Sequence, residues 1–295
     1  MHGEIEYVRD YYYCRNCKYG TSPQDEALNI VGLPHKMTRE LMSEVAFFGQ
    51  NQPSFKRARR MINRALKLDI NEETIREVTE YVGKLVFEQD TGRAEETIAN
   101  IHKIDSSVKE DGVLYIQTDG AAVNTRIEDE NGSTWRENKT VMVFKDKDMI
   151  HRKDGGHIIT KKEYLPFIGT SEDFKKYMLD IAVRAGYGKI KEVVVISDGA
   201  PWIRTVCSEI FPDAVLILDL YHLKENIYTY AKHKFSCNEK EYVPWAEIFI
   251  DKIEKGKVEE ALDLLPEDEK LPSNVVNLRT YINNKAHIVF LTAGE

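Results

Sequence analysis

The sequence predicts an α/β protein: a mixed sheet with flanking helices, preceded by a helical region and followed by an all-helical segment. Three observations predict this. The runs Val113–Thr118, Val193–Ile196 and Ala214–Leu218 are strand-length, mostly apolar and without polar alternation, as strands buried on both faces read. Each run leads into an aspartate, Asp119, Asp198 or Asp219. Between the second and third, Trp202, Ile203, Val206 and Ile210 recur at helical spacing. The order is therefore strand, helix, strand, helix, with acids at the carboxyl ends of strands. That edge is where ligands and catalytic groups gather in open α/β sheets.

Composition sets the frame. A chain of 295 residues, 42% hydrophobic and 31% charged, predicts two globular domains. No apolar run reaches membrane-spanning length, and MHGEIEYVRD has no signal-peptide core, so a cytoplasmic protein is expected. Four cysteines, only two of them close together, fit a reduced compartment rather than a disulfide scaffold. The net charge of −8 argues against nucleic acid, but its distribution does not. Pro53–Lys67 holds Lys56, Arg57, Arg59, Arg60, Arg64 and Lys67 and no acid, whereas Glu241–Lys270 holds ten acids against four lysines. A basic patch and an acidic region coexist in many nucleic-acid enzymes.

The elements follow in order. Residues 1–25 contain Tyr11–Tyr13 and then Cys14-Arg15-Asn16-Cys17. A CxxC turn supplies two of the four ligands of tetrahedral zinc; two ordinary reduced cysteines in a loop are the alternative. Residues 26–88 read as helices: Leu41, Val45 and Phe48 share one face, and Phe55, Ala58, Ile62 and Leu66 another. Asp69 and Glu72 stand at capping-box spacing before a third helix carrying Ile75, Val78, Val82 and Leu85. Two helices with a short turn have the size of a helix-turn-helix, or of a small bundle with a solvated basic face. Gln89–Gly92 reads as a helix end, and residues 89–111 as a connector.

Residues 112–235 form the α/β core. The first strand ends at Asp119, and Asn131-Gly132 marks a hairpin turn. Trp135 and Lys139–Phe144 make the next strand and His157–Tyr164 a third. Glu137 and Lys139 are either an exposed strand pair or part of a site. Thr170 and Asp173 stand at cap spacing before a helix that Gly186 ends. Asp219 can cap the helix that begins with His222 in its first turn. Residues 236–295 read as helices, with Trp245, Ile248, Phe249 and Ile253 on one face and Val275, Leu278 and Ile282 in the last.

TDGAAVNTR, WRENK, SDGAPWIR and DLYHLKENIYTYAK, in this order, resemble the DDE transposases of the Kra-type bacterial insertion-sequence family, distant relatives of Mutator-like transposases. The resemblance covers residues 3–284. It implies an RNase H-like catalytic domain with an all-helical insertion. It implies Mg²⁺ or Mn²⁺ held by Asp119 and Asp198, with Asp219 and His222 supporting the site; hard oxygen donors of this kind suit those ions. It also implies DNA as the partner and a homo-oligomer when complete; the basic stripe then makes Lys56, Arg57, Arg60 and Arg64 the expected DNA-binding residues, with phosphate contacts from Arg57, Arg60 and Arg64. The family's zinc-ribbon-like start has a second cysteine pair upstream of Cys14 and Cys17, and its third acid follows the insertion. Neither is found, so a chain shortened at both ends is expected, with a zinc site that is partial. Glu247, Glu254, Glu259 and Glu260 lie on the insertion helices and are not promoted to third acid. A DNA-binding remnant without catalysis and an RNase H-like nuclease stay open beside the transposase.

Overall fold

The computed structural model describes residues 8–104, 109–153, 156–267 and 270–283. The chain divides into two compact units, Met1–Gly92 and Arg93–Glu295.

The first unit begins with a two-residue-per-strand hairpin, β1 (Tyr12–Tyr13) and β2 (Gly20–Thr21), and the short helix α1 (Pro23–Ala27). Helix α2 (Arg39–Asn51) starts where the Thr38 hydroxyl accepts the Leu41 N–H. Helix α3 (Phe55–Leu66) starts in the same way at Ser54, and Lys67 closes it in the left-handed conformation at φ 61°. Helix α4 (Glu72–Ala99) follows. Met42, Val45, Ala58, Ile62, Leu68, Ile75 and Val78 from α2, α3, α4 and the α3–α4 turn form one buried cluster.

Both ends of α4 differ from the expected ones. The cap of α4 is Asn71, whose side chain accepts the Thr74 N–H at 2.8 Å. Asp69 is not available for capping because its carboxylate binds the Arg59 guanidinium at 3.0 and 3.2 Å. The helix also does not end at Gln89–Gly92 but runs to Ala99. A lone glycine costs a helix only about 1 kcal/mol. Beyond it Ala94 is fully buried in the core of the second unit, and the Thr97 hydroxyl donates to Asp180 at 2.7 Å.

The second unit is built on five strands: β3 (Glu110–Asn124), β4 (Trp135–Lys145), β7 (Glu163–Ile168), β8 (Ile190–Ser197) and β9 (Val215–Leu218). Their order is β7-β4-β3-β8-β9; β4 is antiparallel to both neighbours, whereas β3, β8 and β9 are parallel. The small ribbon β5 (Met149–His151) and β6 (His157–Ile159) stands apart from this sheet. The strand expected over His157–Tyr164 is thus two: its first half pairs with β5 and its second half enters the sheet edge. Pro166 sits within β7 opposite Thr140, a place open to proline because β7 is an edge strand.

Helix α5 (Ser171–Ala185) is capped by Thr170, whose hydroxyl accepts the Asp173 N–H, and Gly186 ends it at φ 118°. With α6 (Pro201–Ile210) it covers one face of the sheet. Leu114, Ile116, Val141 and Val143 meet Phe174, Met178, Ile181, Ile203 and Val206 there, all 2% exposed or less. Each fully buried side chain of this size contributes about 1.5–3 kcal/mol. Helices α7 (Leu220–Lys234), α8 (Glu239–Glu254), α9 (Val258–Leu262) and α10 (Leu278–Asn283) make a second cluster that begins at Leu218. Ile248, expected inside, is 53% exposed. Val275 is buried but precedes α10 in a turn. Among the described residues no helix is long and apolar enough to cross a membrane.

Candidate active site

Strand β3 is longer than the sequence suggests. It does not stop at Asp119 but continues to Asn124, paired to β4 alone. The parallel pairing with β8 ends at Thr118 opposite Ser197. Asp119 and Asp198 are therefore the residues that directly follow the last paired positions of two adjacent strands, which lie about 4.8 Å apart in any sheet. The two aspartates sit where β3 and β8 part, at the carboxyl edge of the parallel half.

Each aspartate accepts a hydrogen bond from the backbone that follows it, Asp119 within β3 and Asp198 in the loop after β8. Asp119 Oδ1 accepts the Gly120 N–H at 2.8 Å, and Asp198 Oδ1 accepts the Ala200 N–H at 2.8 Å. The two glycines are needed for different reasons. Gly199 has φ 72°, a conformation that side chains other than glycine's disfavour. A Cβ on Gly120 would stand 2.4 Å from Glu137 Oε1.

Asp219 and His222 are both near, in different roles. Asp219 caps α7, accepting the Tyr221 N–H at 2.8 Å, and its own N–H donates to the Ser197 carbonyl at 2.7 Å. His222, one turn later, places Nε2 at 3.8 Å from Asp119 Oδ2 and Nδ1 at 3.8 Å from Glu225 Oε2. Asp119 forms no ion pair with lysine or arginine among the described residues.

Two hollows adjoin the aspartates. One of about 480 Å³ is lined by Ser197, Asp198, Gly199, Arg204 and Tyr281. Another of about 360 Å³ is lined by Gln117, Asp119, Thr140, Met142 and Tyr164. Tyr281 was invisible as a site residue in the sequence. From α10 it donates its hydroxyl to the Asp198 backbone carbonyl at 2.9 Å. Burial first, then the charge of Asp198, push that hydroxyl up to about 12, against a hydrogen bond from Asn226 that lowers it.

The WRENK and SDGAPW segments meet in space. Trp202 Nε1 donates to Glu137 Oε1 at 3.1 Å, and Lys139 Nζ donates to Glu137 Oε2 at 2.7 Å. Lys139 is 4% exposed, which excludes the reading of an exposed strand pair for it. Glu254 lines a hollow of about 300 Å³ with Gln117 and Asp219 and is paired with Lys224 at 2.6 Å. Among the described residues no three His, Cys, Asp or Glu side chains converge into a metal-holding group. Residues 284–295, which follow the last described insertion helix, lie outside the described residues.

In the first unit Lys56, Arg57, Arg60 and Arg64 are all exposed on α3 and none forms an ion pair among the described residues, whereas Arg59 is engaged by Asp69. Cys14 and Cys17 are both exposed. Hydrogen bonds from Cys17, backbone first, and then from the Asn16 backbone hold the Cys14 thiol below its ordinary value. The two thiols thus share one turn but have no third ligand among the described residues.

No curated protein matches this sequence. The family profile that does match carries no functional description and extends over residues 1–287. The chain therefore belongs to the uncharacterised protein family UPF0236.

Proposed function

We propose that this chain is a DNA transposase of the DDE type, with an RNase H-like core that cuts and joins DNA strands using Mg²⁺ or Mn²⁺. The observation that carries the reading is the placement of Asp119 and Asp198 side by side at the edge where β3 and β8 separate. The strand order supports the RNase H-like part of it. Numbered along the chain the order is 3-2-1-4-5, with the second strand antiparallel, one acid on strand 1 and the other directly after strand 4.

The donor set fits the ion. Mg²⁺ is commonly held by one or two carboxylates, with water and substrate phosphate completing its shell. Asp119 supplies one of those carboxylates from within β3, and Asp198 the other from the residue that follows β8. An ion bound there supplies positive charge for the attacking and leaving oxygens of a phosphodiester in line displacement. The chain's own residues do the rest. The backbone N–H groups of Gly120 and Ala200 fix one oxygen of each carboxylate. His222 beside Asp119 is placed to hold or pass a proton, or to bind a phosphate oxygen. The exposed cations of α3 supply sequence-independent grip on the phosphate backbone.

The test is cleavage and joining of labelled DNA with Mg²⁺ or Mn²⁺, comparing the chain with Asp119→Ala and Asp198→Ala. Metal-dependent nicks and joined products that vanish in both variants are expected. Nicks without joined products would identify a nuclease of the same fold. DNA binding without any cleavage would leave a binding protein and refute the catalytic reading.

A further inference from the structure

Glu137 and Trp202 are 65 residues apart in sequence, yet one hydrogen bond joins them. The link is part of a closed set. Lys139 Nζ donates to Glu137 Oε2 at 2.7 Å and to the Gly169 carbonyl at 2.9 Å, and lies 5.3 Å from the Trp202 ring centre. The Lys139 side chain is only 6% exposed, whereas Glu137 keeps 43% of its surface in solvent. A buried ammonium is costly unless its donors are used, and here two donors and one aromatic face are.

The set touches the chain just after both aspartates. Glu137 Oε1 occupies the space a side chain on Gly120 would fill, directly after Asp119. The same oxygen accepts from Trp202, which stands in the first turn of α6, four residues after Asp198. A packed apolar trio would bury as much surface here. It would not tie one carboxylate, packed over Gly120, to Lys139 and to Trp202 with directional bonds. Lys139 holds that carboxylate in place from the strand position opposite Gly120.

We infer that Glu137 is a positioning residue that sets the separation of Asp119 and Asp198, with Lys139 and Trp202 as its anchors. The role rests on the metal-site reading above. It touches no substrate; it acts through the Gly120 main chain on one side and the start of α6 on the other.

Two measurements test it. The first needs neither metal nor DNA: a double-mutant cycle of Gly120→Ala and Glu137→Ala, read by urea unfolding. Gly120→Ala should destabilise the wild type, because the new methyl displaces the carboxylate, and should cost less than half as much when Glu137 is already alanine. Additive effects would overturn the contact on which the inference stands. The second is Mn²⁺ affinity by electron paramagnetic resonance, with Asp119→Asn as the control that abolishes binding. Glu137→Ala should weaken Mn²⁺ about ten-fold, the effect typical of residues that orient metal ligands. Glu137→Gln keeps an acceptor for Trp202 and should recover most of the loss. Trp202→Phe keeps the ring and removes the donor, and should weaken binding even where Glu137→Ala does not fold. Wild-type affinity in folded Glu137→Ala would reduce the cluster to a packing role and sink the inference. A wild-type chain that binds no Mn²⁺ would refute the metal reading and the positioning role with it, while the cycle would still report the contact.

Discussion

Tyr281→Phe isolates one hydroxyl next to the site. The ring is largely buried, and its hydroxyl donates to the Asp198 carbonyl at 2.9 Å. Removing the oxygen leaves the ring packed and takes away that bond and the one with Asn226. A typical net hydrogen bond contributes about 1 kcal/mol, so the variant should be about 1 kcal/mol less stable at pH 8. The gap should then depend on pH. The hydroxyl is pushed up to about 12 in the folded chain, against about 10 in an unfolded one. Its folded value is raised, so its contribution is complete below pH 10 and is lost as pH rises toward 12.

At pH 11 the unfolded tyrosine is mostly ionised and the folded one mostly not. The ionisation then favours unfolding by about 1.4 kcal/mol before discount, and by about 1 kcal/mol once solvent screening of the partly exposed ring is allowed for. The wild-type advantage should therefore shrink from about 1 kcal/mol at pH 8 to about zero at pH 11. Tyr115 and Tyr221 are also raised, Tyr115 by burial and Tyr221 by its bond to Glu225. They are present in both proteins and cancel in the difference. The assay is urea unfolding of both chains at the two pH values. A gap that stays constant would show that the Tyr281 hydroxyl is not buried beside Asp198 as described.

Three further outcomes are expected. Arg57→Ala with Arg60→Ala should make the salt dependence of DNA binding shallower by about 2 in log–log slope, equally for all sequences. Arg59→Ala should leave the slope unchanged, because Asp69 already holds that guanidinium; fluorescence anisotropy between 50 and 200 mM salt, roughly the range over which such slopes are read, distinguishes them. At pH near 7 iodoacetamide should label Cys14 well before Cys207, whose thiol burial pushes up to about 12; peptide mass spectrometry reads the order, and equal rates would contradict the burial of Cys207. The Thr118 hydroxyl is buried without a hydrogen-bond partner among the described residues. Thr118→Val should thus be neutral or stabilising by about 1 kcal/mol in urea unfolding, and a clear loss would reveal a partner.

The fold was legible where chemistry is local. Three apolar runs ending in aspartate gave β3, β8 and β9, and the caps at Thr170 and Asp219 fall where the spacing puts them. What failed was decided by distant partners. Asp69 and Glu72 match a capping box, but a guanidinium ten residues back in α3 outbids the backbone for Asp69. Gln89–Gly92 reads as a helix end, but Ala94 and Thr97 are anchored in the core of the second unit. Nothing within a window of a few residues carries either fact.

The site divides in the same way. Asp119, Asp198 and Asp219 are each visible because a strand must end somewhere and an acid after an apolar run is conspicuous. Their relation is not visible, because it is set by the register of β3 on β8 and by the extra length of β3 along β4. That extra length matters chemically. Were β3 to stop at Asp119, as the glycine suggests, Arg136, Glu137 and Lys139 would have no partner on β3, and the carboxylate of Glu137 would not lie over Gly120. The glycine after Asp119 therefore does not end the strand. It leaves room for a carboxylate from the neighbouring strand, whereas the glycine after Asp198 supplies a positive φ. Two identical dipeptides thus answer two different physical demands. An alanine at Gly120 would be relieved by shortening Glu137, and an alanine at Gly199 would be relieved by no change to a neighbour.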